Sequence, residues 1–412
     1  MKNRHKILIA LALLATLFIA AFMAWQHYSV VAPGIRIGVL HSLTGTMAVS
    51  EKPLVDAVRL AVEEVNAQGG LLGRPVEMVV ADGKSDPVVF AAEAERLIEK
   101  EKVSVLFGCW TSACRKAVKA VVEKHHHLLF YPLQYEGMEQ SPNIIYTGAA
   151  PNQQIIPAVN WALAQLGKRV YLVGSDYVFP RMANIIIKDL LNAQGAVLAG
   201  ERYRPLGDQA MDELVADIVK QQPDVVLNTL NGDSNIAFFR ALEKNGVTPD
   251  KIPVLSFSIA EVELAAKDGS MMVGHYAAWN YFQSIPSPQN QAFIQRFHSR
   301  FGQHAVIDDP MEASYIGLKL WVQAVREAGS AKPARVQRTI LRQTLLAPEG
   351  LVAIDPANRH LWKTPRVGKA RHDGQFDIVC DAGRPLEPVP FPSYRSHDEW
   401  VQLLKIAEGG NP

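Results

Sequence analysis

The chain alternates between short apolar runs and longer segments whose apolar residues recur at helical spacing. Ile35–Ser42, rich in β-branched residues, predicts a first strand. Leu54–Gln68 has apolar residues three and four positions apart and predicts the first helix, which Gly69 and Gly70 end. The same alternation predicts strands Pro75–Asp82, Val103–Gly108 and Leu128–Tyr131, and helices Pro87–Lys100 and Thr111–Lys124. Strands separated by helices of this length indicate a parallel sheet with helices on both faces.

A second run of the same kind follows. It predicts strands Arg169–Gly174, Ala196–Arg204, Val225–Thr229 and Pro253–Phe257, and helices Pro180–Gln194, Met211–Gln221 and Asp233–Lys244. Three longer helices, Pro288–Phe301, Pro310–Ala328 and Lys332–Leu346, come next, and then strand-like pieces to about Val379. Two runs that can each close a sheet predict an α/β protein with two lobes. A chain of 412 residues suits two lobes of about 150–200 residues each.

The N-terminus has the most uneven hydropathy. Lys2, Arg4 and Lys6 precede the apolar run Ile7–Trp25, which only Thr16 interrupts. As a helix, this run would span about 28 Å, close to the thickness of a bilayer's hydrocarbon core. Positive residues before it predict that they stay in the cytoplasm while the rest is exported. Residues 1–34 are therefore a cleaved signal peptide or an uncleaved inner-membrane anchor, with a spacer, and both place the body outside the cytoplasm.

The composition limits which classes of partner and which cysteine chemistry the protein can have. Lys plus Arg (42) nearly cancels Asp plus Glu (41), so the basic surplus that nucleic-acid binding requires is missing, and we exclude nucleic acid as the main partner. Cys109, Cys114 and Cys380 are too few for a disulfide framework and lack zinc-site spacing. We interpret them as small buried residues, with a Cys109–Cys114 bridge as the alternative in an oxidising compartment.

Polar and aromatic residues gather where the predicted strands end, which is where parallel α/β sheets bind ligands. The candidate ligand-binding residues at these places are Trp110, Thr111, Ser112, Tyr131, Gln134, Tyr135, Asp176, Tyr177, Asn231 and Asp233. Each also has a plainer interpretation. Thr111 or Ser112 suits a helix N-cap, Trp110 and Tyr131 suit a core, and both aspartates suit helix starts. Together with the small-residue loop Ser42–Thr46 after the first strand, five such clusters at five strand ends favour a binding cleft.

Enzyme signals are weak. The sequence contains neither a phosphate-binding glycine loop nor a G-x-S-x-G or H-E-x-x-H motif. His125, His126 and His127 invite a metal interpretation, but consecutive residues at a helix end point in different directions and do not share a coordination sphere easily. We therefore expect a non-catalytic protein without a metal or cofactor.

Several segments closely resemble the urea-type substrate-binding proteins of bacterial ABC transporters. They are IRIGVLHSLTGTMAVSE (Ile35–Glu51), FGCWTSACRKAV (Phe107–Val118), LLFYPLQYEGMEQSPNIIYTGAAPNQQ (Leu128–Gln154), GSDYVFPR (Gly174–Arg181) and NTLNGDSN (Asn228–Asn235). The resemblance covers about residues 35–379. General branched-chain amino-acid receptors share the opening strand but not the GCWTS and YPLQYEG segments. The amide-sensing regulator of aliphatic amidase operons is similar at the same places.

The resemblance implies a type I periplasmic-binding-protein fold, with two Rossmann-like lobes whose parallel sheets are joined by a hinge. On that basis we expect lobe 1 to comprise residues 35–150 and 281–345, and lobe 2 residues 151–280 and 346–383. Residues 384–412 are expected to form a surface tail, with Trp400 and Leu403 helping to dock a terminal helix.

The ligand that the resemblance implies is urea or a short amide, held by the segments that match Trp110–Ser112, Tyr131, Gln134–Tyr135 and Asp176–Tyr177. Urea is flat and neutral, so its site needs donors, acceptors and aromatic faces. Ser112 and Tyr131 would donate, Asp176 and Glu261 would accept, and the rings of Trp110 and Tyr177 would sandwich the plane.

Function then follows as a set of hypotheses. The leading one is an extracytoplasmic receptor, in the periplasm and either free or tethered to the inner membrane, that delivers its ligand to an ABC permease and its ATPase. A membrane-tethered sensor of the same ligand is an alternative from another class. A branched-chain amino-acid ligand is a further alternative, because Glu261 or Asp176 could bind its ammonium group. An enzyme on this fold is the least favoured, since no catalytic constellation is evident.

Overall fold

The computed structural model describes residues 33–267 and 269–409, together with positions 11, 14–16, 18 and 19. Most of the apolar run Ile7–Trp25 lies outside the described residues. Within the part of the chain that is described, no helix is long and apolar enough to cross a membrane.

Lobe 1, as we use the term, is the part of the chain built on a five-stranded sheet. Its first elements are β1 (Ile35–His41), α1 (Ala48–Ala67), β2 (Val76–Asp82), α2 (Pro87–Glu99), β3 (Leu106–Gly108), α3 (Ser112–Lys124), β4 (Leu129–Tyr131) and β5 (Ile144–Tyr146). The strand order is β2-β1-β3-β4-β5 and every pair is parallel. All residues of β1 except Arg36 are buried, as expected for a strand covered by helices on both faces.

Lobe 2 is built on a seven-stranded sheet. After a short 3₁₀ turn its elements are α4 (Ile155–Gln165), β6 (Arg169–Ser175), α5 (Val178–Ala193), β7 (Val197–Arg204), α6 (Asp212–Gln221), β8 (Val225–Thr229), α7 (Ser234–Lys244), β9 (Val254–Ser256), α8 (Glu261–Ala265) and β10 (Tyr276–Trp279). Alternate residues of β6 belong to two separate cores: Val170 and Leu172 to one, and Tyr171 and Val173 to the other. The sheet is therefore covered on both faces.

The chain then returns to lobe 1 and crosses back. The remaining elements are α9 (Pro288–Phe301), α10 (Asp309–Ala328), α11 (Pro333–Thr339), β11 (Thr344–Ala347), β12 (Gly350–Ile354), β13 (Leu361–Trp362), β14 (Arg366–Ala370), β15 (Phe376–Asp381) and α12 (His397–Ala407). The second sheet has the order β15-β14-β10-β9-β8-β6-β7, with β14 antiparallel to both of its neighbours, and β11, β12 and β13 form a small antiparallel sheet. The predicted α/β class with mostly parallel sheets is confirmed.

One buried amide joins the three places where the chain crosses between the lobes. Asn280 Nδ2 donates to the carbonyls of Gln153 (3.0 Å) and Thr364 (3.1 Å), and the Asn280 carbonyl accepts from Arg366. Asn280 follows β10 directly, so the three crossing segments are held as one unit at the hinge.

Some elements differ from the sequence-based expectation. The predicted helix Lys332–Leu346 ends at Thr339, and its last residues form β11. Val352, Ile354 and Leu361 pack in the lobe 1 core, although residues 346–383 were assigned to lobe 2. The tail does dock a helix: Trp400 is fully buried in the lobe 2 core, and Arg395 forms two short bonds to Asp189 on α5.

Candidate ligand-binding site

The corner between β3 and α3 lies at the carboxyl edge of the lobe 1 sheet. Cys109 adopts a left-handed backbone conformation (φ +69°), which turns the chain out of the strand. The side chain of Thr111 caps α3 by accepting a hydrogen bond from the Cys114 amide at 3.2 Å. Thr111 therefore has the plainer of its two predicted roles. Trp110 and Ser112, on either side of it, are both buried.

Ser112 belongs to a buried group that we call the Ser112 cluster, made of Ser112, Arg115, Glu136 and Glu139. The Ser112 hydroxyl donates to Glu136, and Arg115 Nη1 donates to the Ser112 oxygen at 2.9 Å. Arg115 also pairs with Glu136 at 2.9 Å and with Glu139 at 2.8 Å. Burying one of these charges alone would cost several kcal/mol, so the pairing is what makes the arrangement stable.

The carboxylates outnumber the guanidinium in this cluster. Burial alone would raise the pKa of Glu139, but Arg115 and, at the cluster's edge, Lys116 and Lys119 outweigh it and hold that pKa at about 2. Glu139 is therefore ionised at any physiological pH. Its negative charge keeps the Arg115 guanidinium in the ion pair.

Aromatic side chains enclose the cluster. The Tyr131 hydroxyl donates to the Trp110 carbonyl at 2.6 Å, and the Arg115 guanidinium lies over the rings of Tyr131 and Tyr135, 5.0 and 4.5 Å from their centroids. Burial raises the pKa of Tyr131 and of Tyr177, and nearby Glu136 raises both further. Both hydroxyls thus stay protonated and can act as donors.

Contacts across the cleft bring predicted residues of the two lobes together. Trp110 Nε1 donates to Asn231 Oδ1 at 3.2 Å, and Gln134 Nε2 donates to the Phe257 carbonyl at 2.7 Å. The second of these leaves the Gln134 side-chain oxygen buried and without a hydrogen-bond partner. The lobes are therefore closed on one another at the predicted site, and Gln134 retains a free acceptor there.

Further contacts close the cleft away from the Ser112 cluster. The Ser50 hydroxyl on α1 donates to Glu263 on α8 at 2.7 Å, and both side chains are buried. Gly232, in the loop after β8, lies against the backbone of Thr46. These contacts set how closely the lobes approach.

Three predicted residues are not brought into the cluster. Asp176 is exposed and pairs with Arg181 at 2.6 Å, and Asp233 is exposed at the start of α7. Glu261 is buried, but one of its oxygens accepts from the Gln283 amide near the hinge. Tyr135, by contrast, contacts the cluster with its ring. Its hydroxyl donates to the Glu139 carbonyl at 3.0 Å and lies 2.5 Å from His360 Nε2.

The charged members of the cluster, Arg115, Glu136 and Glu139, were not among the residues predicted from the sequence. Arg115 is three residues after Ser112, on the same face of α3, and Glu136 directly follows two predicted site residues. A charged helix position is usually solvated, so the spacing alone did not single out Arg115. The acidic residues inside the YEGME stretch were the available signal.

A cavity of about 1090 Å³ opens beside the cluster, between α3, α5 and α12. Its lining includes Glu139 and Tyr177, together with Asp176, Lys116 and Lys188. The cavity therefore reaches the edge of the Ser112 cluster from the solvent side.

Of the three consecutive histidines, His125 alone lies near potential metal ligands. Its Nε2 is 3.0 Å from a Glu95 oxygen and 3.8 Å from a Glu99 oxygen. Lys124 already binds the same Glu95 oxygen at 2.7 Å, and His127 binds the Val103 carbonyl at 2.9 Å. The ammonium group competes for the position that a cation would need, so we assign no metal role here.

The fold and the closed cleft define a two-lobed binding protein. Residues 35–397 match the model of the periplasmic binding protein domain, and the chain belongs to that family. It is thus a periplasmic solute-binding receptor of the ABC-transporter type, whose partners are a small molecule and a permease.

Similar proteins extend over most of the chain. A Leu/Ile/Val-binding protein homolog from Brucella melitensis is 24% identical over 86% of this chain and 90% of its own length. A solute-binding protein of an ABC transporter from R. palustris, solved with 4-hydroxybenzoate, superposes with a TM-score of 0.78 over 87% of this chain and 98% of its own, at 22% identity.

One similarity is local. A limonene hydroxylase from Geobacillus stearothermophilus is 34% identical over 117 residues, which is 28% of this chain. The match spans only 21% of that protein's length. The relatives that match over nearly their whole length are binding proteins.

Proposed function

We propose that this receptor binds urea or a short aliphatic amide between its lobes and delivers it to the permease of an ABC transporter. The observation that carries the proposal is the Ser112 cluster, a set of buried donors and acceptors whose two carboxylates are paired with Arg115 and, at the cluster's edge, with Lys116 and Lys119. A neutral ligand can enter such a site without bringing a charge that needs a new partner.

The state of Arg115 argues against an anionic ligand at this position. Each of its three side-chain nitrogens already donates, to Glu136, to Glu139 or to Ser112. A ligand carboxylate would have to compete with two buried protein carboxylates for one guanidinium. Such competition costs several kcal/mol where charges are desolvated.

The same groups suit a flat amide. In the ligand-bound state we expect the Ser112 hydroxyl to turn from Glu136 to the ligand carbonyl, with Tyr177, or Tyr131 once it releases the Trp110 carbonyl, as a second donor. The Glu136 carboxylate and the free oxygen of Gln134 would then accept the ligand N–H groups. In this scheme Glu136 and Gln134 replace the acceptors first predicted, Asp176 and Glu261.

A branched-chain amino acid is a second candidate, because the Brucella melitensis relative is named a homolog of Leu/Ile/Val-binding proteins. Its ammonium group could bind Glu136, and its carboxylate could lie at the start of α3, where helix amides other than that of Cys114 lack an intrahelical partner. Leucine would then bind, and urea would not.

Calorimetric titration of the purified protein with urea, acetamide, formamide and leucine distinguishes the two. Ser112→Ala and Tyr131→Phe should each weaken amide binding by about 1–3 kcal/mol, since each removes a buried donor. Asp176→Asn is the matched control, because that side chain is exposed and paired with Arg181, and it should leave binding unchanged. Tight leucine binding with no response to urea or the amides would overturn the proposal.

A further inference from the structure

Two cysteines flank the segment that carries Trp110, Thr111 and Ser112. Cys109 directly follows β3 and Cys114 lies in the first turn of α3, and both side chains are buried in the lobe 1 core. The third cysteine, Cys380, is on β15 in the other lobe. Any bridge within lobe 1 therefore involves Cys109 and Cys114.

The backbone brings these two thiols together. The positive φ of Cys109 turns its side chain away from the strand direction, a conformation that residues other than glycine rarely adopt. Cys114 Sγ folds back over the turn and donates to the Thr111 carbonyl at 2.9 Å. Cys109 and Cys114 thus lie at the two ends of one tight turn, both thiols are free and buried in the same core, and burial together with the neighbouring Cys114 raises the pKa of the Cys109 thiol.

We propose that Cys109 and Cys114 form an intrachain disulfide in the exported protein. The bridge would covalently close the loop Trp110–Ala113, which carries Trp110 and Ser112 of the proposed ligand site. The inference depends on export to the periplasm, an oxidising compartment in which disulfides form and persist, and not on the identity of the ligand.

The chemistry is thiol–disulfide exchange with the disulfide of an exported dithiol oxidase. The thiolate of one cysteine attacks that disulfide, forms a mixed disulfide and releases one oxidase thiol. The second cysteine then displaces the other oxidase sulfur. Two protein thiols are oxidised to one disulfide, the oxidase disulfide is reduced to two thiols, and the protons of the two cysteines pass to them. Because both sulfurs are buried in the folded chain, we place the exchange during folding, before lobe 1 packs.

Thiol counting on the full-length protein, purified from the periplasm without reductant, tests the bridge. After denaturation in the presence of N-ethylmaleimide, we expect one labelled thiol, at Cys380, and three after reduction. The unlabelled protein should be lighter than its reduced form by the mass of two hydrogen atoms, and a peptide map should join Cys109 to Cys114.

Two variants serve as controls. Cys380→Ser should show no labelled thiol before reduction, and Cys114→Ser should show two. Three labelled thiols in the unreduced wild type, or a bridge that involves Cys380, would overturn the proposal. If Cys114→Ser fails to accumulate, the wild-type count and Cys380→Ser still decide the question.

Discussion

Gly232 gives the sharpest test of the closed arrangement, because the chain offers a matched control. Gly232 has a positive φ of +63°, and a Cβ built there would lie 2.8 Å from the backbone oxygen of Thr46, across the cleft. Gly246, also in lobe 2, has nearly the same φ of +66° and no atom within 4 Å of the equivalent Cβ. Alanine at either position incurs the same backbone strain, but only Gly232→Ala obstructs closure.

The size of the effect follows from the contacts. A Cβ at 2.8 Å from a backbone oxygen requires the lobes to separate by about 0.5 Å, since ordinary contacts begin near 3.4 Å. The hydrogen bond between Trp110 and the neighbouring Asn231 is already 3.2 Å long and would be lost. Losing it, together with looser packing, should cost closure about 1–3 kcal/mol, so affinity for any bound ligand should fall about 5- to 150-fold.

Calorimetric titration and thermal unfolding separate the two effects. Both alanine variants should lose about 1–2 kcal/mol of stability from the left-handed backbone, whereas only Gly232→Ala should lose affinity. Equal affinity in Gly232→Ala and Gly246→Ala would refute the claim that the lobes approach as closely in solution as they do in this structure.

Three further predictions concern buried ionisable side chains and the groups that pair with them. Arg115→Met should lower the free energy of unfolding by about 3–5 kcal/mol, because it leaves two buried carboxylates without their guanidinium partner. Lys116→Met, at the partly exposed edge of the cluster, should change the free energy of unfolding by less than about 1 kcal/mol. Chemical denaturation of both variants measures the contrast, and similar values would contradict the role of Arg115. Ser50→Ala should weaken the binding of every ligand by the same factor, roughly 5- to 100-fold, because it removes the buried hydrogen bond to Glu263 without touching the ligand. Burial raises the pKa of Glu263, so the closed form of the protein holds the Glu263 proton more tightly than the open form. Ligand affinity should therefore fall as pH rises through that pKa, which titrations over a series of pH values check. Burial lowers the pKa of His275 to about 4, so the unfolded chain binds a proton at this histidine first as the pH falls. The free energy of unfolding should therefore decline by up to about 3 kcal/mol between about pH 6.5 and pH 4. His275→Gln should flatten that decline in unfolding experiments at several pH values, and an unchanged slope would show that His275 is not responsible.

Much of the fold could be predicted from the sequence because long elements carry strong periodicity. β1, β6 and β8 are nearly continuous apolar runs, and α9 was predicted with its observed bounds, Pro288–Phe301. The short strands β5 and β10, of three and four residues, were not predicted from the sequence. In the segment Lys332–Leu346, cross-strand pairing of its last residues with β12 overrides the helical pattern.

The position of the candidate site could be predicted from the sequence more fully than the side chains that form it. The rule that ligands lie beyond strand ends selected Trp110, Ser112 and Tyr131, and in the structure the Tyr131 hydroxyl donates to the carbonyl of Trp110, two residues before Ser112. It did not distinguish Asp176, whose side chain turns outward to Arg181, from the buried Glu136, because both follow strands in the sequence. Which of two acidic residues faces the cleft depends on tertiary packing.

A crystal structure of the protein grown with acetamide or urea tests the central claim most directly. We expect the ligand between the lobes, with its carbonyl oxygen within hydrogen-bonding distance of Ser112 Oγ and an N–H group on the Glu136 carboxylate. A ligand bound only in the cavity beside α12, with the Ser112–Glu136 hydrogen bond intact, would contradict the account.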